Sequence, residues 1–173
     1  MKYLAATVQF EPEMFAKERN IDALKRLVEE AAASGARLII TPEMGLTGYC
    51  WYDREEVAPY VEQVPGPSTQ SFAALAAKLD CYIVIGLPEV DAGNGLYYNT
   101  AVLVGPEGYL GKHRKSHPYI AEPKWAASGD TGHQVFETSL GRIALLICMD
   151  IHFLETARLV ALQGAEVICH LSN

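Results

Sequence analysis

The sequence predicts a layered α/β fold, and three observations predict it. Short apolar runs of strand length alternate along the chain with segments whose apolar residues recur at helical spacing. Half of the 173 residues are hydrophobic, enough for a sizeable single core. No internal repeat, low-complexity tract or linker interrupts the alternation, so residues 1–173 read as one domain.

Residues 2–10 read as the first strand. Residues 17–34 read as a helix, because Ile21, Leu24, Leu27, Val28 and Ala31 share a face and Gly35 supplies the C-terminal stop. Residues 36–41 form the next strand, which halts at Pro42. Ser68 is the expected cap of a helix through Leu79, with Phe72, Leu75, Ala76 and Leu79 on one side. Residues 82–87 and 98–105 are strands, and Pro106-Glu107-Gly108 turns the chain back into a strand from Tyr109. Residues 134–136 and 142–147 flank a turn at Gly141. A helix over about residues 153–163 stops at Gly164, and residues 166–171 are the last strand.

Charge narrows the function classes. The net charge is −7 and charged residues make up 20%, which argues against a nucleic-acid or anionic-membrane surface. The first residues enter a strand directly, without a signal-peptide layout, and no apolar stretch is long enough to span a bilayer. Cys50, Cys81, Cys148 and Cys169 are scattered, with no CxxC pair. They read as reduced thiols of a cytoplasmic protein rather than a disulfide frame.

Three strand ends carry chemistry. The run Ile143-Ala144-Leu145-Leu146-Ile147 ends at Cys148, before a helical pattern. A thiol at a helix N-terminus sits where unpaired N–H groups and the macrodipole favour thiolate. A buried, inert core cysteine is the competing reading of that position. The strand ending at Thr41-Pro42 presents Glu43, with Gly45, Gly48 and Tyr49 after it. The Tyr109 strand reaches Lys112, His113, Arg114 and Lys115, then Ser116-His117-Pro118. Taken singly, Glu43 is an ordinary loop carboxylate and Lys115 part of a solvated basic face. In an α/β sheet, however, the carboxyl ends of strands converge where ligands bind. A base, an ammonium and a nucleophile then meet.

Together the segments resemble the nitrilase superfamily of carbon–nitrogen hydrolases. The matching motifs are Thr41-Pro42-Glu43 with Gly45 and Gly48-Tyr49, His113-Arg114-Lys115-Ser116-His117, and Ile147-Cys148-Met149-Asp150. Val8-Gln9-Phe10, Gly66-Pro67-Ser68 and Tyr98-Asn99-Thr100-Ala101 fit in order as well. The resemblance implies an α-β-β-α sandwich and a Glu–Lys–Cys triad of Glu43, Lys115 and Cys148, with Glu122 as the second glutamate. It implies a thiol amidohydrolase acting on a small amide through a thioester, needing no metal or organic cofactor, and a homodimer or higher homo-oligomer. It also implies that the C-terminal part is missing, because the family continues past the segment matching Glu166 to Asn173. True nitrilases usually carry Trp-Glu after the nucleophile, and this chain has Met149-Asp150, so amides are expected over nitriles.

Alternatives remain open at this point: a true nitrilase, an N-carbamoyl amidohydrolase, or a catalytically silent interaction module that keeps the fold. Tyr49, Trp51, Tyr52, Tyr119 and Trp125 cluster near the two glutamates, either as core plugs or as pocket walls. Tyr49, Trp125 and Met149 are the expected substrate contacts. Zinc at Cys148, His152 and Cys169-His170 is disfavoured, because neighbouring side chains on a strand face opposite ways. Gly105, Gly108 and Gly111 surround a hairpin rather than a phosphate-binding turn, and no G-x-S-x-G is present. The helix after Cys148 is apolar almost all round, so two of its sides need cover.

Overall fold

Period-two alternation decides which surfaces meet. On β3 (Tyr82–Val90), Ile83, Ile85 and Leu87 face one way and Tyr82 and Val84 the other. The first set packs with Leu24 and Val28 of α1 (Lys17–Ala33) and Phe72, Leu75 and Ala76 of α3 (Pro67–Leu79). The second set meets Ile143, Leu145 and Ile147 of β7 (Gly141–Ile147) and Cys169 and Leu171 of β8 (Val167–Leu171). Burying each such aliphatic side chain is worth about 1.5–3 kcal/mol, so this contact holds two sheets face to face. Val160 of α4 (Leu154–Leu162) is buried beside β7, where Ala144 and Leu146 point away from the inter-sheet core. The layers are therefore helices α1 and α3, a five-stranded sheet, a three-stranded sheet, and α4. The computed structural model describes residues 2–173; Met1, the first residue of the expected domain span, lies outside them.

The larger sheet has the order β1-β2-β3-β4-β5, with β1 at Leu4–Thr7, β2 at Ala36–Ile40, β4 at Tyr97–Gly105 and β5 at Gly108–Arg114. The smaller sheet has the order β6-β7-β8, with β6 at Val135–Thr138. Strands β1, β2 and β3 are mutually parallel, β4 is antiparallel to both of its neighbours, and β7 and β8 are parallel. Two reversals make β5 run with β2. The ends that carry Glu43 and Lys115 therefore lie on one edge of the larger sheet.

Three details differ from the sequence reading. The first strand is shorter, although the Val8 N–H still donates to Ile40 O at 2.8 Å. Ser68 is not the cap of α3: Gly66 is, Pro67 opens the helix, and Ser68 N–H and Oγ donate to the Glu62 carboxylate at 3.0 and 2.9 Å. Pro67 is suited to the first helical position because its missing N–H would be unpaired there. A short helix, α2 (Arg54–Val57), also stands in a stretch to which the sequence reading assigns no element. The Asp53 side chain caps it by accepting from Glu56 N–H at 3.0 Å. With a single turn, it has too few residues for a periodic apolar signal.

Candidate active site

Glu43 leaves β2 through Thr41 and Pro42. Thr41 Oγ donates to Val84 O at 3.0 Å, and the Glu43 N–H donates to Ser172 O at 3.3 Å, so the turn is tied to both sheets. Gly86 makes this approach possible: a Cβ there would lie 2.7 Å from Met44 N and Pro42 O. Lys115 follows β5 and is 1% exposed, which corrects the reading of a solvated basic face. Its neighbour Arg114 is buried too, held by Glu89 at 2.5 Å, Asp91 at 2.6 Å and Asp130 at 2.8 Å.

The two glutamates converge on that lysine. Lys115 Nζ donates to Glu43 Oε1 at 2.8 Å and to Glu122 Oε2 at 2.6 Å. Asn99, near the start of β4, donates from one amide nitrogen to Glu43 Oε1 at 2.8 Å and to Glu122 Oε1 at 2.6 Å. The Tyr119 N–H donates to Glu122 Oε2 at 2.6 Å. Burial works against the Lys115 charge, but the two carboxylates more than offset it, and its pKa ends above that of an ordinary lysine. Burial also dominates at Glu43, whose pKa stays raised despite Lys115 and Asn99. Glu43 Oε2 is buried with no hydrogen-bond partner. One oxygen of this carboxylate is anchored and the other is free.

Cys148 stands at the end of β7, partly exposed, with φ at +40°. A non-glycine residue in this region carries about 1–3 kcal/mol of strain, which collects at functional turns. His170 Nε2 lies 3.1 Å from Cys148 O. The chain then makes a 3₁₀ turn over Cys148–His152, and α4 does not begin until Leu154. The thiol is therefore not at the N-terminus of an α-helix, and the expected thiolate is not favoured. Burial pushes the Cys148 thiol up, and the Glu43 carboxylate adds to this. The Ser172 hydroxyl and Lys115 pull it down by less. The resting group is a thiol with a carboxylate beside it.

The aromatic residues divide by role. Trp51 is core, packed with Met44 and Val57 and donating to Gly48 O at 3.1 Å, whereas Tyr52 is exposed. Tyr49, Tyr119 and Trp125 line a small cavity with Cys50, Ile120, Ala121 and Glu122, about 120 Å³ in volume. Lys115 Nζ lies 5.7 Å from the centre of the Tyr49 ring. Met149 is partly exposed and is not among the residues lining this cavity. The structure thus brings together Glu43, Lys115 and Glu122, with Cys148 beside Glu43, Tyr49 and Trp125 around the adjoining cavity, and Met149 outside its wall. The sequence reading does not single out Asn99 or Asp150 as site residues. Both lie inside motifs quoted above, and a short polar residue within an apolar strand is the signal that could have found Asn99.

Comparison with known proteins gives the family of the chain. The carbon–nitrogen hydrolase family model matches residues 4–173. A nitrilase of Pyrococcus abyssi is 38% identical over 169 residues, covering 97% of this chain and 64% of that protein. The omega-amidase NIT2 of Xenopus tropicalis is 32% identical over 168 residues, covering 89% of this chain and 58% of that protein. Among solved structures, Saccharomyces cerevisiae Nit3, a member of branch 10 of the nitrilase superfamily, superposes with a TM-score of 0.84 at 26% identity. That match covers 95% of this chain and 62% of Nit3. The chain thus spans less than two thirds of the length of these relatives.

Proposed function

The chain belongs to the carbon–nitrogen hydrolase family, and from that premise we propose that its site hydrolyses the C–N bond of a small amide through a Cys148 thioester. The observation that carries the reading is the division of labour on Glu43: Oε1 is held by Lys115 and Asn99, Oε2 is buried without a hydrogen-bond partner, and the carboxylate lies beside a Cys148 thiol whose pKa is raised. In this reading Glu43 Oε2 takes the Sγ proton as sulfur attacks the amide carbonyl carbon. The oxygen of the tetrahedral intermediate gains negative charge, which the Lys115 ammonium and the Met149 N–H stabilise. The C–N bond breaks as Glu43 returns the proton to nitrogen, and ammonia or an amine leaves. Water then gives a proton to Glu43 and attacks the thioester carbonyl. Release of the carboxylic acid restores the thiol. Glu122 and Asn99 keep Lys115 and Glu43 in register throughout.

Amides are preferred over nitriles because Met149-Asp150 follows the nucleophile. N-carbamoyl amines are the neighbouring possibility, since they present the same carbonyl. A cytoplasmic location is part of this proposal, supported by the four free cysteines. The test is ammonia release from a panel of amides, N-carbamoyl amines and nitriles, with Cys148→Ala, Glu43→Gln and Lys115→Ala as controls. Each substitution is expected to cut kcat/KM by roughly 10²–10³ or more. Cys148→Ala retaining more than a few per cent of turnover would remove the thioester from the mechanism.

A further inference from the structure

Asp150 is fully buried just after the nucleophile, and its two carboxylate oxygens serve different segments. Oδ1 accepts from the Ser116 and His117 N–H groups, both at 3.0 Å, and lies 3.2 Å from His117 Nδ1. Oδ2 accepts from the Ile147 N–H at 3.1 Å and lies 2.8 Å from His113 Nε2. One oxygen thus holds the segment that follows Lys115. The other holds the residue that precedes Cys148 and, through His113, also touches the strand that leads to Lys115.

The groups around the carboxylate are themselves held. His113 Nδ1 faces Gly132 O at 3.3 Å, the His117 ring stacks on Phe153 at 3.8 Å, and Asp150 O accepts from Thr156 Oγ at 2.6 Å. Burial alone would raise the Asp150 carboxyl, but its bonds from His113 and the backbone N–H groups more than offset this. The group sits below the usual carboxylate range and stays ionised.

We propose that Asp150 is a positioning residue that fixes the Lys115 ammonium relative to the Cys148 sulfur by clamping both strand ends to one carboxylate. The inference rests on the reading that Cys148 attacks a carbonyl whose developing charge Lys115 holds. A small error in that separation is costly, because such stabilisation depends on donors already in place.

The two oxygens make the clamp separable. An asparagine keeps one acceptor and turns the other into a donor. Two backbone N–H groups face Oδ1, and neither can reverse its role, so the amide oxygen of Asp150→Asn settles there. Its NH₂ then opposes the Ile147 N–H, whereas a His113 tautomer with a bare Nε2 accepts from it, so the nucleophile end is the one that opens.

The test compares the wild-type chain, Asp150→Asn and Asp150→Ala by residue-resolved hydrogen exchange and by iodoacetamide labelling of Cys148 across pH. In Asp150→Asn the Ile147 amide is expected to exchange about tenfold faster or more, while Ser116 and His117 stay protected. Asp150→Ala should release all three. The pH midpoint of Cys148 labelling should fall in both variants as the turn loosens and burial eases, with Glu43, Lys115 and the Ser172 hydroxyl still facing the sulfur. If Asp150→Ala does not fold, His113→Gln supplies the second arm and should loosen Ile147 but not Ser116. Equal loss of protection across the chain, or an unchanged Ile147 amide and labelling midpoint in Asp150→Asn, would overturn the clamp. None of these readouts needs turnover. Failure of the amidase reading in the ammonia screen is therefore distinguishable from failure of the clamp.

Discussion

Asn99→Ala removes a neutral group that touches both buried glutamates. Its amide nitrogen donates at 2.8 Å to Glu43 and at 2.6 Å to Glu122, and all three residues are at most 2% exposed. A hydrogen bond to a charged acceptor contributes about 1.5–3 kcal/mol. Glu43 Oε1 keeps Lys115 after the substitution, but Glu122 Oε1 loses its Asn99 donor. The expected loss is therefore about 3 kcal/mol or more at pH 7, read by urea unfolding with an unchanged m-value. The pH dependence adds a second arm. Asn99 holds the Glu43 pKa down, so its removal raises an already raised carboxyl further. A carboxyl whose folded pKa exceeds its unfolded value contributes stability that is full below about pH 4.3 and fades as pH rises through the folded value. The deficit of Asn99→Ala should therefore be smaller near about pH 5 than near about pH 8. A loss under about 1 kcal/mol, or a deficit that shrinks with rising pH, would refute the bridging role.

Two further predictions follow from the other thiols and from the outer helix. At neutral pH, iodoacetamide should label exposed Cys50 first and Cys148 more slowly. Cys81, pushed up to about 11 by burial, and Cys169, pushed up to about 12, should react slowest, and Cys148 reacting ahead of Cys50 would contradict the protonated resting state. Leu154, Leu159 and Leu162 of α4 are exposed, which motivates the proposal of a homodimer closing over this face. Light scattering should give twice the chain mass for the wild type and a monomer for Leu154→Glu with Leu162→Glu; a monomeric wild type at micromolar concentration would remove the proposal.

What the sequence determined by itself is everything that depends on local pattern. The run Ile143 to Ile147 names a strand buried on both faces because no polar residue interrupts it, and that strand delivers Cys148 to a sheet edge. Pro42 stops β2 and sets Glu43 just past its end for a similarly local reason, since proline cannot donate to the ladder. Helices α1 and α3 were readable from apolar spacing to within a residue or so at each end. Only the tertiary structure decided how the site is charged. Lys115 lies in a basic stretch that reads as solvated, and its burial follows from Glu43 and Glu122 reaching it from separate elements. The raised Cys148 pKa departs from the local helix-dipole expectation because α4 does not begin until Leu154, and burial with a carboxylate from another strand outweighs the Ser172 hydroxyl and Lys115. Asn99 and Asp150 carry no periodic signal, because, apart from Ile147 three positions from Asp150, the groups their side chains hold lie 23 to 56 positions away along the chain. Hydrogen-bond partnership of that kind is set by where strands pair and sheets stack, which no window of sequence contains.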